Sequence, residues 1–175
     1  MDQIVWIIIA LVCIAAAVLF CILWLTEKKK TMKAAEEYRE QEKKLRKIEG
    51  RCAKFRKFYS TFNKWMNLEI GGRSYVRYLQ YNHYERILIY GAKEMGILLY
   101  DELRKNGVEV AGIIDRYADY MSPDVDTVLY MPGDELPEAD LMVVTAVSSY
   151  EEIKKDMEGR VQCPILSLVE LLNMG

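Results

Sequence analysis

Residues 86–116 read RILIYGAKEMGILLYDELRKNGVEVAGIIDR. The stretch starts with an apolar run, Ile87–Tyr90, which is typical of a buried strand. A glycine turn, Gly91–Gly96, follows, and then an amphipathic helix over Ile97–Asn106, which we expect Gly107 to end as a C-cap. A second strand, Val108–Asp115, ends in an acidic residue. This order of strand, glycine turn, helix, strand and acid predicts the opening unit of a doubly wound α/β fold that binds a nucleotide.

Each part of this unit has a physical task. Gly91 permits a sharp turn at the end of the strand, and Gly96 lets the helix lie close to the sheet. The N-terminus of the helix offers free N–H groups and the positive end of its dipole to a phosphate. Asp115 follows Gly96 by about 20 residues, which is the spacing of an acid that accepts a hydrogen bond from a ribose hydroxyl.

The turn departs from the usual GxGxxG pattern at one position, where Lys93 replaces the middle glycine. Two opposite interpretations are open: Lys93 pairs with a phosphate, or the site is degenerate and the turn only structural. The candidate cofactor-binding residues are Gly91, Ala92, Lys93, Glu94, Met95, Gly96, Asp115, Arg116 and Thr145.

The rest of the chain continues the alternation of strands and helices. We expect strands at Thr127–Tyr130, Leu141–Thr145 and Pro164–Leu166, and helices at Tyr150–Glu158 and Ser167–Asn173, with Ser167 as N-cap. Five strands with helices between them predict a parallel sheet. Because ligands bind at the carboxyl ends of such strands, we expect Gly91–Met95, Asp115–Arg116 and Thr145–Ser149 to surround one crevice.

The N-terminus predicts a transmembrane helix. All 22 residues from Ile4 to Leu25 are apolar, and as a helix they would span ~33 Å, enough to cross a ~30 Å hydrocarbon core. Trp6 and Trp24 mark its two ends, where interfacial aromatic residues are expected. A cleaved signal peptide is disfavoured, because Met-Asp-Gln is no basic leader and no small-residue cleavage site follows. A buried helix of a soluble protein is rarely apolar over such a length.

The charges predict how this segment is oriented. Lys28, Lys29, Lys30 and Lys33 follow the apolar run, whereas only Asp2 precedes it. The positive-inside rule therefore places the N-terminus outside the inner (plasma) membrane, which the chain crosses once, and the C-terminal part in the cytoplasm.

The total composition excludes several classes of protein. Of the 175 residues, Glu27–Phe58 carry a net charge of +7 and Tyr59–Gly175 a net charge of −8. An acidic C-terminal part argues against nucleic-acid binding there. The four Cys form no CxxC pair and there is one His, so we expect neither a metal nor a disulfide framework.

From Glu27 to about Leu68 the composition favours a helical stalk, with Gly50 as its one interruption. Its apolar and aromatic residues recur at steps of three and four, at Tyr38, Gln41, Leu45, Ile48, Cys52, Phe55, Tyr59, Phe62 and Met66. Such a heptad pattern fits either a coiled-coil homodimer or a helix that packs on its own domain, and the bulky side chains favour packing from about Cys52 onward. We therefore expect an anchor at 1–26, a basic stalk at 27–58, a helical lead-in at 59–84 and the nucleotide-binding domain at 85–175.

Residues 86–116, together with MPGDELPEADLMVVTAVSSYEEI at 131–153, resemble the small Rossmann-like domains of bacterial cell-surface polysaccharide proteins. These include the N-terminal domains of sugar N-acyltransferases and the membrane-attached nucleotide-sugar dehydratases and sugar phosphotransferases. The resemblance covers residues 85–172. It implies a nucleotide or a nucleotide-sugar as ligand and partners in polysaccharide synthesis. Together with the glycine turn and Asp115 it predicts a domain that binds a nucleotide, NAD(P) or a nucleotide-sugar. We expect an accessory or sensing role, since no counterpart of the acyltransferase or dehydratase catalytic domain accompanies it. A non-catalytic interaction module is the alternative.

A catalytic group is a weaker hypothesis. Tyr150 and Lys154 have the YxxxK spacing of short-chain dehydrogenases and share a helix face. A solvated helix face explains the same spacing more simply, and we favour that interpretation over a complete small oxidoreductase.

Overall fold

The computed structural model describes the backbone of residues 2–118 and 125–175. Contacts divide the chain into two compact units, Met1–Cys52 and Ala53–Gly175. A single helix, α1, runs from Asp2 to Ile70 and includes Gly50 without a break. The division at Cys52 places the predicted lead-in, 59–84, in the same unit as the sheet.

The first unit consists of the N-terminal part of α1. An 18-residue window of this helix has a mean hydropathy of 3.1, and none of the window is buried within the protein. By its length and composition the helix could therefore cross a membrane. At the end of the apolar run, the Lys28 ammonium lies 5.0 Å from the centroid of the Trp24 ring, a cation–π contact.

In the second unit, the C-terminal part of α1 packs on the domain, as the bulky side chains predict. The face that packs is not the predicted heptad stripe. Thr61, Trp65 and Leu68 are buried, and Phe58 and Phe62 pack partly against the same core. Of the stripe residues from Cys52 onward, Cys52, Phe55, Tyr59 and Met66 are exposed and Phe62 alone packs. The predicted periodicity was correct for a helix, but it did not identify the buried face.

A five-stranded sheet forms the centre of the second unit. Its strands are β1 (Arg86–Tyr90), β2 (Glu109–Ile114), β3 (Leu129–Tyr130), β4 (Leu141–Val144) and β5 (Ile165–Ser167). They lie in the order β3-β2-β1-β4-β5, and all four neighbouring pairs are parallel. The predicted parallel α/β sheet is confirmed. β3 begins two positions later than expected, and just before it the Thr127 hydroxyl donates to the Val110 carbonyl of β2 (3.3 Å).

In the part of the unit that the structure describes, the sheet is accompanied by a 3₁₀ helix at Val147–Ser149 and by four short α-helices: α2 (Val76–Tyr81), α3 (Glu94–Lys105), α4 (Tyr150–Met157) and α5 (Leu168–Asn173). Gly107 ends α3 as predicted: its φ is +76°, and the N–H of Val108 donates to the Leu103 carbonyl (2.9 Å), the usual arrangement behind a C-terminal glycine. Ser167 caps α5 in a reciprocal capping box with Glu170, which confirms the predicted N-cap.

Helices cover both faces of the sheet. Ile87 and Ile89 of β1 point into a cluster with Leu99 of α3 and Leu171 of α5. The alternate residue Leu88 belongs to a second cluster, which contains buried residues of α4. Since successive strand residues point to opposite faces, each apolar strand contributes to both cores, and the carboxyl ends of the strands are left as the edge where loops meet.

Candidate functional site

The turn after β1 is built on Gly91. Its φ is +110°, a conformation that favours glycine, and its N–H donates to the Ile114 carbonyl of β2 (2.7 Å). A Cβ at this position would lie 2.6 Å from Thr145 Oγ1. Any larger residue would therefore displace the end of β4.

The first turn of α3 lies against this glycine. A Cβ on Gly96 would lie 1.8 Å from the Gly91 carbonyl oxygen, so the helix reaches the strand only because the side chain is missing. α3 begins at Glu94 rather than at the expected Ile97, because Gly96 belongs to the helix and not to the turn. Lys93 is the N-cap, exposed and without a side-chain capping bond. Among the described residues, none accepts a hydrogen bond from the N–H of Glu94 or Met95.

Asp115 connects the end of β2 to the glycine turn. Its Oδ2 accepts the N–H of Ala92 (2.9 Å) and its Oδ1 accepts the N–H of Tyr117 (3.0 Å). Only 8% of the residue is exposed. Each carboxylate oxygen can accept a second hydrogen bond, so these bonds hold the carboxylate in place and leave it acceptor capacity toward a ligand.

The other two predicted binding residues are engaged within the protein. Arg116 donates to Glu152 of α4 (3.0 Å) and lies 3.7 Å from Asp156, and the hydrogen bond to Glu152 raises the pKa of its guanidinium. Thr145 is buried, and its hydroxyl donates to the Tyr90 carbonyl (3.0 Å), with the Gly91 carbonyl at 3.3 Å. Thr145 thus fastens β4 to the glycine turn.

These segments surround one crevice of about 590 Å³. Its lining includes the three segments that the sequence places together: Gly91 with Lys93–Met95, Asp115–Arg116 and Thr145–Ser149. Ala92 and Gly96 are buried and are not part of this lining, so they contribute to the turn on its protein-facing side.

Three residues of α1, Lys54, Phe55 and Phe58, also line the crevice, and the sequence did not predict this. The sequence analysis assigned them to the stalk, because no local pattern shows which residues of a long helix will lie close to the edge of the sheet. Two phenylalanines three positions apart amid basic residues are the signal that could have drawn attention to them.

A second crevice, also about 590 Å³, is lined by the end of α1 and the C-terminus, including Lys64, Arg73 and Asn173. It contains none of the predicted site residues and no free helix N-terminus. We therefore regard the crevice at the glycine turn as the candidate site.

The YxxxK pair does not form part of it. Tyr150 and Lys154 are absent from the lining of the crevice. The Tyr150 hydroxyl donates to the Ile165 carbonyl (3.0 Å), and burial, then a nearby Glu170, raises the pKa of Tyr150 to about 12. A tyrosine that acts as a catalytic acid and base near neutral pH needs a lowered pKa, so the geometry favours a structural role for this pair. Tyr150 is half-buried and packs against the core, so it does not lie on the solvated helix face that was expected.

Among the described residues, no group of three His, Cys, Asp or Glu side chains could hold a metal ion. Comparisons of the chain with protein-family models, with curated proteins and with solved structures find no match.

Proposed function

We propose that the second unit is a doubly wound, Rossmann-like domain that binds a nucleotide, NAD(P) or a nucleotide-sugar. The observation that carries the proposal is the meeting of three features in one crevice: the glycine turn, the uncapped N-terminus of α3 and the Asp115 carboxylate. The strand order β3-β2-β1-β4-β5 is also that of dinucleotide-binding sheets.

The chemistry of the crevice divides between the two ends of such a ligand. The N–H groups of Glu94 and Met95 and the positive end of the α3 dipole suit a phosphate. Lys93 is exposed beside them and adds a cation. Asp115 offers acceptors to ribose hydroxyls, and its two backbone hydrogen bonds fix its orientation.

The cellular setting is part of the same proposal. The exposed apolar stretch of α1, the Trp24–Lys28 contact and the basic residues that follow support a single membrane span with the domain on the cytoplasmic side. The resemblance to polysaccharide-synthesis domains supports an accessory or sensing role in assembly of the cell surface.

The test is calorimetric titration of the full chain, purified in detergent, with NADH, UDP-glucose and a CDP-linked sugar. We expect at least one to bind, and Lys93→Ala to weaken its binding several-fold. Lys105→Ala, at an exposed lysine in the last turn of the same helix, is the matched control and should bind as the wild type does. If none of the three ligands binds at millimolar concentration to a chain that remains folded, the nucleotide proposal fails.

One observation favours a second candidate, a non-catalytic interaction module. Lys93 occupies the position of the middle glycine, and both oxygens of Asp115 already accept backbone N–H groups, as expected of a turn kept for structure. This candidate predicts a folded chain that binds no nucleotide and associates through the stalk. Bismaleimide cross-linking at the exposed Cys52, with Cys52→Ser as control, would detect that association, and a strictly monomeric chain would refute it.

A further inference from the structure

The C-terminal part of α1 brings an aromatic stack to the crevice. Phe58 packs partly against the core, and its ring stacks on that of Phe62, with centroids 6.4 Å apart and planes 2° apart. Phe55 continues the stack, 6.4 Å from Phe58 at 25°. Although it is apolar, Phe55 is 68% exposed and lines the crevice with the glycine turn. The stack therefore starts in the core and ends in an uncovered aromatic ring beside the candidate phosphate site.

We propose that Phe55 stacks on the planar base of a nucleotide whose phosphates bind at the N-terminus of α3. This inference rests on the proposed function and deepens it, because it names the side chain that would hold the base of the bound nucleotide. Stacking on an aromatic side chain needs no hydrogen bonds to the base edges, which fits an exposed phenylalanine. Lys54, in the same lining, adds positive charge for the phosphates.

Charge complementarity favours this occupant over a second copy of the chain. Phe55 is flanked by Lys54, Arg56 and Lys57. A second α1 against the same face would bring the same cations together, at a cost in electrostatic repulsion. A nucleotide brings negative charge to these cations and a flat ring to Phe55.

The experiment titrates ADP, UDP and inorganic pyrophosphate into the full chain in detergent. ADP and UDP carry a diphosphate and a base, whereas pyrophosphate has no base. We expect Phe55→Ala to weaken ADP and UDP about tenfold, which corresponds to about 1.4 kcal/mol, and to leave pyrophosphate binding unchanged. Phe55→Trp should restore nucleotide binding. Tyr59→Ala is the matched control, since Tyr59 is an exposed aromatic residue of the same helix that lines the other crevice.

The outcomes separate this inference from the proposed function. If ADP or UDP binds the wild type and Phe55→Ala equally well, the stacking role is refuted and the nucleotide site stands. If Phe55→Ala weakens pyrophosphate as much as the nucleotides, Phe55 shapes the crevice and the inference is also refuted. If the variant changes only the sedimentation of the chain, the face is an interface between copies. If the wild type binds none of the three ligands, the stacking inference is refuted, and the titrations with NADH, UDP-glucose and the CDP-linked sugar decide separately whether the proposed function stands.

Discussion

Replacing Gly96 with alanine should unfold the sheet domain at a markedly lower temperature. The new Cβ would lie 1.8 Å from the Gly91 carbonyl oxygen and 2.9 Å from its carbonyl carbon. Contacts under 3.0 Å are essentially never seen for a Cβ, so α3 would have to move away by more than about 1 Å, a displacement typical of overpacked cores. The atom in the way belongs to the backbone of a turn that Thr145 and Ile114 hold, and it cannot rotate aside.

The expected loss of stability in Gly96→Ala is the difference between two opposing effects. Overpacking costs up to about 3 kcal/mol, and the higher helix propensity of alanine returns less than about 1 kcal/mol near a helix end. For a unit of about 120 residues, with an unfolding entropy of about 2.1 cal/mol/K per residue, a net loss of about 2–3 kcal/mol lowers Tm by about 8–12 °C.

Tryptophan fluorescence can measure this change. Trp65 is buried in the domain core. In the full chain in detergent, a Trp6→Phe, Trp24→Phe double variant leaves Trp65 as the single tryptophan whose fluorescence reports unfolding of the domain. Gly133→Ala is the control, because a Cβ there meets nothing within 4 Å, and its Tm should stay within about 2 °C of the background. A Gly96→Ala protein that melts as the control does would refute the close approach of α3 to the turn.

Two further predictions concern stability. Burial, followed by the neighbouring Glu69, raises the pKa of Glu102 from 4.5 to about 7. The Trp65 indole N–H, which donates to Glu102 Oε2 (2.6 Å), acts in the opposite direction. Since the folded pKa lies above the unfolded one, this group stabilises the fold most below pH 4.5, and that contribution is lost as the pH rises through 7. Glu102→Gln should therefore reduce the fall in Tm between pH 5 and 8. Asp101→Asn, at an exposed neighbouring residue, is the control and should leave that fall unchanged. If Tm falls equally with pH in both variants, the assignment of the pH dependence to Glu102 is contradicted. Ser167→Ala removes the capping box of α5 and should lower the free energy of unfolding by about 1 kcal/mol, which corresponds to about 4 °C in Tm. Ser167→Asp, which can still cap the helix, should keep most of the stability. If the alanine variant melts at the wild-type temperature, the cap is dispensable.

The architecture of the domain could be predicted because its signals are local. The apolar run of β1 and the position of Gly107 each depend on a few neighbouring residues, and both lie within one residue of the prediction. The start of α3 was wrong because Gly96 suggests a turn by its low helix propensity. Its actual role is a close approach to Gly91, and that depends on a contact outside the helix.

The candidate site was predictable only in part, because it also depends on contacts between elements that are distant in sequence. The rule that ligands bind at the carboxyl ends of parallel strands brings Asp115 and Thr145 to the glycine turn, and the structure does so too. The part of the crevice lining that α1 supplies, which includes Phe55, could not be predicted, because it depends on which face of α1 packs on the domain. The heptad stripe indicated one face, whereas Trp65 and Leu68 bury another.

The two outermost strands have a consequence for solubility. β3 has two residues and β5 has three, so neither edge offers a long row of unpaired backbone groups to another sheet. Beside β3, the hydroxyl of Thr127 donates a hydrogen bond to the Val110 carbonyl of β2. Short edges of this kind protect a sheet from pairing with its neighbours. Many copies of the domain could therefore be crowded together without their sheets joining edge to edge into aggregates.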